Sequence, residues 1–170
     1  MKYFSGFCLK DEEEIFDRYI SNSSSSICGF SYGAIRAFEE AYKTHKRVDR
    51  LILLSPAFFQ TQKKSFIKTQ LKYFKLNSDE YIKNFINNTK YPSEINIDKF
   101  ISEGTIEELD FLLNYQWDKE RLQELKNRGV EIEIFVGDRD KIVDTQKVIE
   151  FFEPFATVYK FKNVGHILCQ

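Results

Sequence analysis

Gly29-Phe30-Ser31-Tyr32-Gly33 has the G-x-S-x-G pattern of a nucleophile elbow. In such an elbow the serine sits on a sharp turn between a strand and a helix, with its hydroxyl raised above the sheet edge. Glycines on both sides let the backbone turn and let strand and helix approach closely. A plain glycine-rich turn is the bland alternative. A serine hydroxyl needs a base to become a nucleophile, and the chain has only two histidines. His45 lies in Lys43-Thr44-His45-Lys46-Arg47 and reads as a surface histidine at a helix end. His166 lies in Asn163-Val164-Gly165-His166, just past the last apolar segment, and is the candidate base. A capping or packing role is its alternative.

The imidazole in turn needs a carboxylate to hold its tautomer and stabilise its charged form. Gly137-Asp138-Arg139-Asp140-Lys141-Ile142-Val143-Asp144 offers three. Asp140 is best placed for the loop apex, Asp138 follows closely, and Asp144 suits a helix cap. The oxyanion of an acyl-transfer intermediate needs two backbone N–H donors. Tyr32 follows the nucleophile directly and supplies one. Phe7, in the turn Ser5-Gly6-Phe7-Cys8 after the first apolar run, is the candidate for the other; alternatively Gly6 only permits a tight turn. Cys28 should be a small buried residue rather than a nucleophile. No metal constellation is visible: two distant histidines and scattered carboxylates do not make a site.

These residues need a scaffold that brings them to one edge. Lys2–Phe4, Ile27–Phe30, Leu51–Leu54, Glu131–Val136 and Thr157–Phe161 read as strands. Helical periodicity covers Asp11–Ile20, behind an acidic first turn, and also Ala34–Lys43 and Thr145–Phe152. Ser21–Ser26 reads as a polar connection. Leu51–Leu54 is apolar throughout, as in strands buried on both faces of a parallel sheet. Alternating strands and helices predict one α/β domain with a mostly parallel sheet. Residues 57–116 differ. They show helices near 61–75, 78–88 and 105–115, a loop at Tyr91-Pro92-Ser93, and no convincing strand. That insertion is a lid over the site, or else a layer covering one sheet face.

The chain has 170 residues, one domain's length, with 42% hydrophobic and 30% charged residues. Seventeen Phe and nine Tyr suit an aromatic core or an aromatic-lined pocket. A net charge of −1 gives no overall bias toward nucleic acid or other polyanions. No stretch approaches the roughly 18 apolar residues of a membrane span. Three cysteines in neither a zinc nor a disulfide pattern, and no signal-peptide pattern, predict a cytoplasmic protein.

GFSYG, LILLSPAFF, GDRDKIVD and the terminal NVGH together resemble the α/β-hydrolase carboxylesterases. More narrowly they resemble the compact pimeloyl-[acyl-carrier protein] methyl ester esterases of biotin biosynthesis. The resemblance runs from the Ser5-Gly6-Phe7 turn to His166. It implies a compact α/β-hydrolase fold of about five strands, with Ser31 as nucleophile, Asp140 as acid, His166 as base, and Phe7 and Tyr32 in the oxyanion hole. It implies no cofactor, and a substrate carried on acyl carrier protein. One departure is Ser5-Gly6 where larger relatives have His-Gly. Lys64, Lys68, Lys72 and Lys75 recur at helical spacing beside Lys63, opposite Phe66, Leu71 and Phe74. Such a stripe suits docking of an acidic carrier protein, or is a solvated face. Two other functions fit the same motifs. Another serine esterase or acyl thioesterase would differ only in its pocket. A non-catalytic binding protein of this fold would fail to label with a fluorophosphonate.

Overall fold

The computed structural model describes residues 1–20 and 23–169. Ser21 and Asn22, part of the connection read at Ser21–Ser26, lie outside the described residues. Five strands pair in the spatial order in which they occur along the chain, all parallel. They are β1 (Lys2–Phe4), β2 (Ser26–Phe30), β3 (Arg50–Leu54), β4 (Glu131–Gly137) and β5 (Thr157–Phe161). The α-helices of the described residues are α1 (Tyr32–Lys43), α2 (Lys64–Leu76), α3 (Ser78–Lys90), α4 (Ile106–Asn114), α5 (Lys119–Asn127) and α6 (Thr145–Phe152).

β3 is central and Leu51, Ile52, Leu53 and Leu54 are fully buried, so both of its faces are covered. Side chains alternate across a strand. Ile27, Leu51, Leu53, Ile132 and Ile134 therefore pack with residues of α1, α5 and α6. Cys28, Phe30, Ile52, Leu54 and Phe135 point to the opposite layer, made by Phe16, Ile97, Phe100 and the tail residues Val164, Ile167 and Leu168. Among the described residues, α3 is the α-helix that contributes a buried side chain to this second layer, through Ile86. Ile86 helps cover a sheet face, while α2 packs mainly on α3 and α4.

Two elements differ from the sequence reading. The helix expected over Asp11–Ile20 is only a 3-10 turn, Glu12–Phe16. Asp11 is left-handed (φ 54°), which turns Glu12 inward instead of leaving it on a solvated helix end. Glu12 is fully buried and accepts hydrogen bonds from Gly6 N–H (2.8 Å) and the Tyr3 hydroxyl (3.0 Å). Local backbone satisfaction thus replaces the expected α-helical first turn. Helix α5 was not anticipated. Its signals are short but present: Asp118 caps it by accepting from Glu120 and Arg121 N–H, and Leu122 and Leu125 are the buried pair.

Glu39 clasps α1 to the chain around α5. It accepts from Arg121 Nη1 (2.7 Å) and the Tyr115 hydroxyl (2.6 Å), and pairs with Lys43 (2.8 Å). Partial burial works against its ionisation, but the hydrogen bonds from Arg121, Lys43 and Tyr115 outweigh it and hold the carboxyl at about 2, against an ordinary 4.5. A depressed carboxyl stabilises the fold above its unfolded value, and that stabilisation is lost as pH falls toward the folded one. The stability difference between wild type and Glu39→Gln should be about 1 kcal/mol at pH 6. Urea unfolding should show it shrinking below pH 4.5. A constant gap down to about pH 2 would contradict this account.

Candidate active site

Ser31 stands where β2 ends and α1 begins, with φ 54° and ψ −113°. This is strained for a non-glycine residue, and such strain persists only where the surroundings hold it. Here its N–H donates to Leu54 C=O (2.8 Å), and its own carbonyl accepts from Ala34 and Ala57 N–H (3.1 Å each). The flanking glycines are obligatory. A Cβ on Gly29 would lie 2.1 Å from Gly33 O, and one on Gly33 would lie 2.0 Å from Phe4 O. The elbow is therefore pressed against the end of β1.

Ser31 Oγ lies 2.8 Å from His166 Nε2, and His166 Nδ1 lies 2.6 Å from Asp140 Oδ2. Asp140 Oδ1 accepts from Ile142 N–H (2.7 Å) and Val143 N–H (3.0 Å). The His166 and Asp140 side chains are wholly buried, and Ser31 is only 4% exposed. With the carboxylate accepting from Nδ1–H, Nε2 is left to accept the serine proton. The other candidates do different work. Asp138 accepts from Asn163 N–H (2.7 Å), tying the acid loop to the histidine loop. Asp144 caps α6 through Lys147 N–H. His45 is exposed, past the end of α1.

Ser55, directly after β3, is a residue that sequence reasoning missed. Its buried hydroxyl donates to the His166 carbonyl (2.6 Å), which sets the height of the histidine loop. The same loop is held by Ile167 N–H on Thr89 C=O (3.2 Å), and the Phe30 ring lies 5.2 Å from the imidazole.

Phe7 lies in a turn closed by Leu9 N–H on Gly6 C=O (3.2 Å). Among the described residues no acceptor takes the N–H of Phe7 or of Tyr32. Both expected oxyanion donors are therefore unspent. The Phe7 ring meets Phe85 edge-on at 5.4 Å and Phe74 at 6.3 Å, which ties this turn to α2 and α3. Burial pushes the Cys8 thiol up to about 12 and raises Cys28 as well. Neither is then a thiolate near neutral pH, so neither is poised to act as a nucleophile.

A cavity of about 540 Å³ lies between α2, α3, α4 and the acid loop. Phe59, Phe66, Phe85, Leu109, Leu113 and Ile142 line it. Lys141 and Ile142 bring the acid loop to this mostly apolar space, while Ser31, Asp140 and His166 are not among its lining residues. Lys64, Lys68 and Lys72 are exposed along α2, with Lys63 and Lys75 also outward and Phe74 buried beneath. Among the described residues none of these five lysines forms an ion pair.

No protein-family model and no curated protein sequence matches this chain. Solved structures do. An esterase from Exiguobacterium antarcticum superposes with a TM-score of 0.65 at 18% identity, covering 91% of this chain and 63% of that one. BioG from Haemophilus influenzae gives 0.59 at 12% identity, covering 97% and 87%. Naproxen esterase from Bacillus subtilis gives 0.56 at 17% identity, covering 84% and 53%. The fold is an α/β-hydrolase fold. This chain spans little more than half the length of several hydrolases it superposes on. At such identities the likeness is one of fold, and the chemistry must be argued from the site. In α/β-hydrolase folds the nucleophile, acid and base follow one another along the chain in that order, the order of the candidates Ser31, Asp140 and His166. No helix among the described residues is long and apolar enough to cross a membrane.

Proposed function

We propose that this chain is a serine carboxylesterase of biotin biosynthesis. It hydrolyses the methyl ester of pimeloyl-[acyl-carrier protein] to pimeloyl-[acyl-carrier protein] and methanol. The unbroken Ser31–His166–Asp140 chain of contacts, 2.8 and 2.6 Å, carries the esterase reading. His166 Nε2 takes the Ser31 proton as Oγ attacks the ester carbonyl, and Asp140 stabilises the resulting imidazolium. The N–H groups of Tyr32 and Phe7 hold the oxyanion. The intermediate collapses, His166 returns the proton, and methanol leaves an acyl-serine. Water then attacks with His166 again as base and frees the carboxylic acid.

The substrate assignment draws on the resemblance of GFSYG, LILLSPAFF, GDRDKIVD and NVGH to the compact methyl ester esterases. Two features support it. The apolar cavity beside the acid loop suits an aliphatic chain. The unpaired lysines on α2 suit an acidic carrier protein. Given methyl-pimeloyl carrier protein, the enzyme should remove the mass of one methylene from the intact conjugate, with the thioester kept. Replacing Lys64, Lys68 and Lys72 together by Glu should lower kcat/KM on the conjugate by about tenfold or more, and leave p-nitrophenyl acetate hydrolysis within about twofold. Loss of the whole acyl group would mark a thioesterase. Equal loss on both substrates would remove the docking role.

A further inference from the structure

The buried carboxylate of Glu12 is not part of the triad, yet it touches the backbone that carries a catalytic donor. It is fully buried. Its Oε1 accepts Gly6 N–H at 2.8 Å and the Tyr3 hydroxyl at 3.0 Å. Its Oε2 is buried with no partner among the described residues. Leaving a carboxylate oxygen orphaned in the interior costs free energy, and nothing in packing alone requires an acid here. Burial, and next the Glu12 charge, raise the Tyr3 hydroxyl's pKa, which keeps it a donor. Gly6 N–H and Phe7 N–H are consecutive on one tight turn, so fixing the first peptide limits the rotation of the second. The other side of this turn rests on the elbow, since Gly33 admits Phe4 O and Ser5 O only because it lacks a Cβ.

We propose that Glu12 is a positioning residue for the oxyanion hole. Its carboxylate fixes Gly6 N–H, and through that peptide it holds Phe7 N–H at the place where the oxyanion of the Ser31 adduct forms. This rests on the reading of Ser31 as an esterase nucleophile. The acceptor matters by its reach. Glu12→Gln retains an oxygen at the same distance, whereas Glu12→Asp withdraws it by one methylene.

The test uses p-nitrophenyl acetate, together with a methyl trifluoromethyl ketone that forms a tetrahedral adduct on the serine and the corresponding alcohol, which cannot. Glu12→Asp should lower kcat by about tenfold to a hundredfold with KM nearly unchanged. It should weaken ketone inhibition by a similar factor and leave alcohol inhibition alone. Glu12→Gln should restore both to within about threefold of wild type, a rescue that a purely charge-based role would not give, while the loss in kcat alone and the selective weakening of the ketone are what a merely structural role would not give. A folded Asp variant with wild-type kcat and ketone affinity overturns the proposal, as does a folded Gln variant as impaired as Asp. Should Glu12→Asp not fold, amide exchange in wild type decides. Gly6 N–H should be protected throughout, and Phe7 N–H should become protected only in the ketone adduct. A Gly6 amide exchanging like an open loop overturns the idea. Wild type that neither hydrolyses the acetate nor binds the ketone removes the esterase reading itself, a different result from an active wild type with an indifferent Asp variant.

Discussion

Ser31→Ala should leave a folded protein whose ester hydrolysis is about 10⁴-fold or more below wild type. The loss is large because in the proposed mechanism the Ser31 hydroxyl oxygen is the attacking atom, and because neither buried cysteine can replace it. Cys8 and Cys28 are buried with raised thiol pKa values. The fold should survive, since among the described residues the Ser31 hydroxyl's one hydrogen bond is to His166, while the elbow backbone is held by Leu54, Ala34 and Ala57. Alanine also has the same Cβ as serine, so the substitution adds no new clash at φ 54°. The measurements are the initial rate on p-nitrophenyl acetate, a thermal melt, and intact mass after a fluorophosphonate. Wild type should gain one phosphonyl group and the variant none. A variant that is labelled, or that keeps a rate within tenfold of wild type, would place the nucleophile elsewhere.

Ser31, Asp140 and His166 meet because parallel strands all end on one edge, and functional groups on the following loops gather there. The register places Phe30 beside Leu54 and Leu54 beside Phe135, so β2 and β3 end at one level and β4 runs two residues further, to Gly137. Ser31 follows β2 immediately, Ser55 follows β3, and Asp138 and Asp140 follow β4. The tail after β5 then needs only a short return to bring His166 over Ser31.

Much of this was legible in the sequence because it rests on local patterns. β3 carries a continuous apolar run, the elbow is spelled by its glycines, and with two histidines the candidate base is reached by elimination once one of them falls at a polar helix end. What was not legible depends on side-chain direction set by distant contacts. Asp138 and Asp140 are two residues apart on one loop, and only the Asn163 N–H, far along the chain, separates their roles. Glu12 has the sequence look of a helix first turn, and the left-handed Asp11 that rotates it inward has no signature beyond a residue type that tolerates that region. Ser55 reads as punctuation before Pro56, and its use depends on a carbonyl at residue 166. Helix α5 was missed because its nine residues carry only two buried leucines, too few for periodicity to stand out among charges.

Asp140→Asn should lower kcat by about 10³–10⁴-fold with little change in KM, whereas Asp138→Asn should stay within about twofold. The reason lies in which oxygen is already committed. Asp140 Oδ1 accepts two backbone N–H groups, from Ile142 and Val143. In the asparagine variant the carbonyl oxygen must keep that position, because an NH₂ there would face two donors. The NH₂ is thereby turned toward His166 Nδ1, which can meet it only as an acceptor. The ring proton then sits on Nε2 and points at Ser31 Oγ, where a base is needed. The imidazole is present, correctly placed and in the wrong tautomer. Asp138 has no such dilemma, since an asparagine oxygen can still accept from Asn163 N–H, and the link between the two loops persists without the charge. Steady-state kinetics of the two variants on one small ester, beside ¹⁵N chemical shifts of the imidazole, separate these outcomes. Normal turnover by Asp140→Asn together with failure of Asp138→Asn would mean that the acid of the working enzyme is the other carboxylate, and that the contact at 2.6 Å is a resting arrangement.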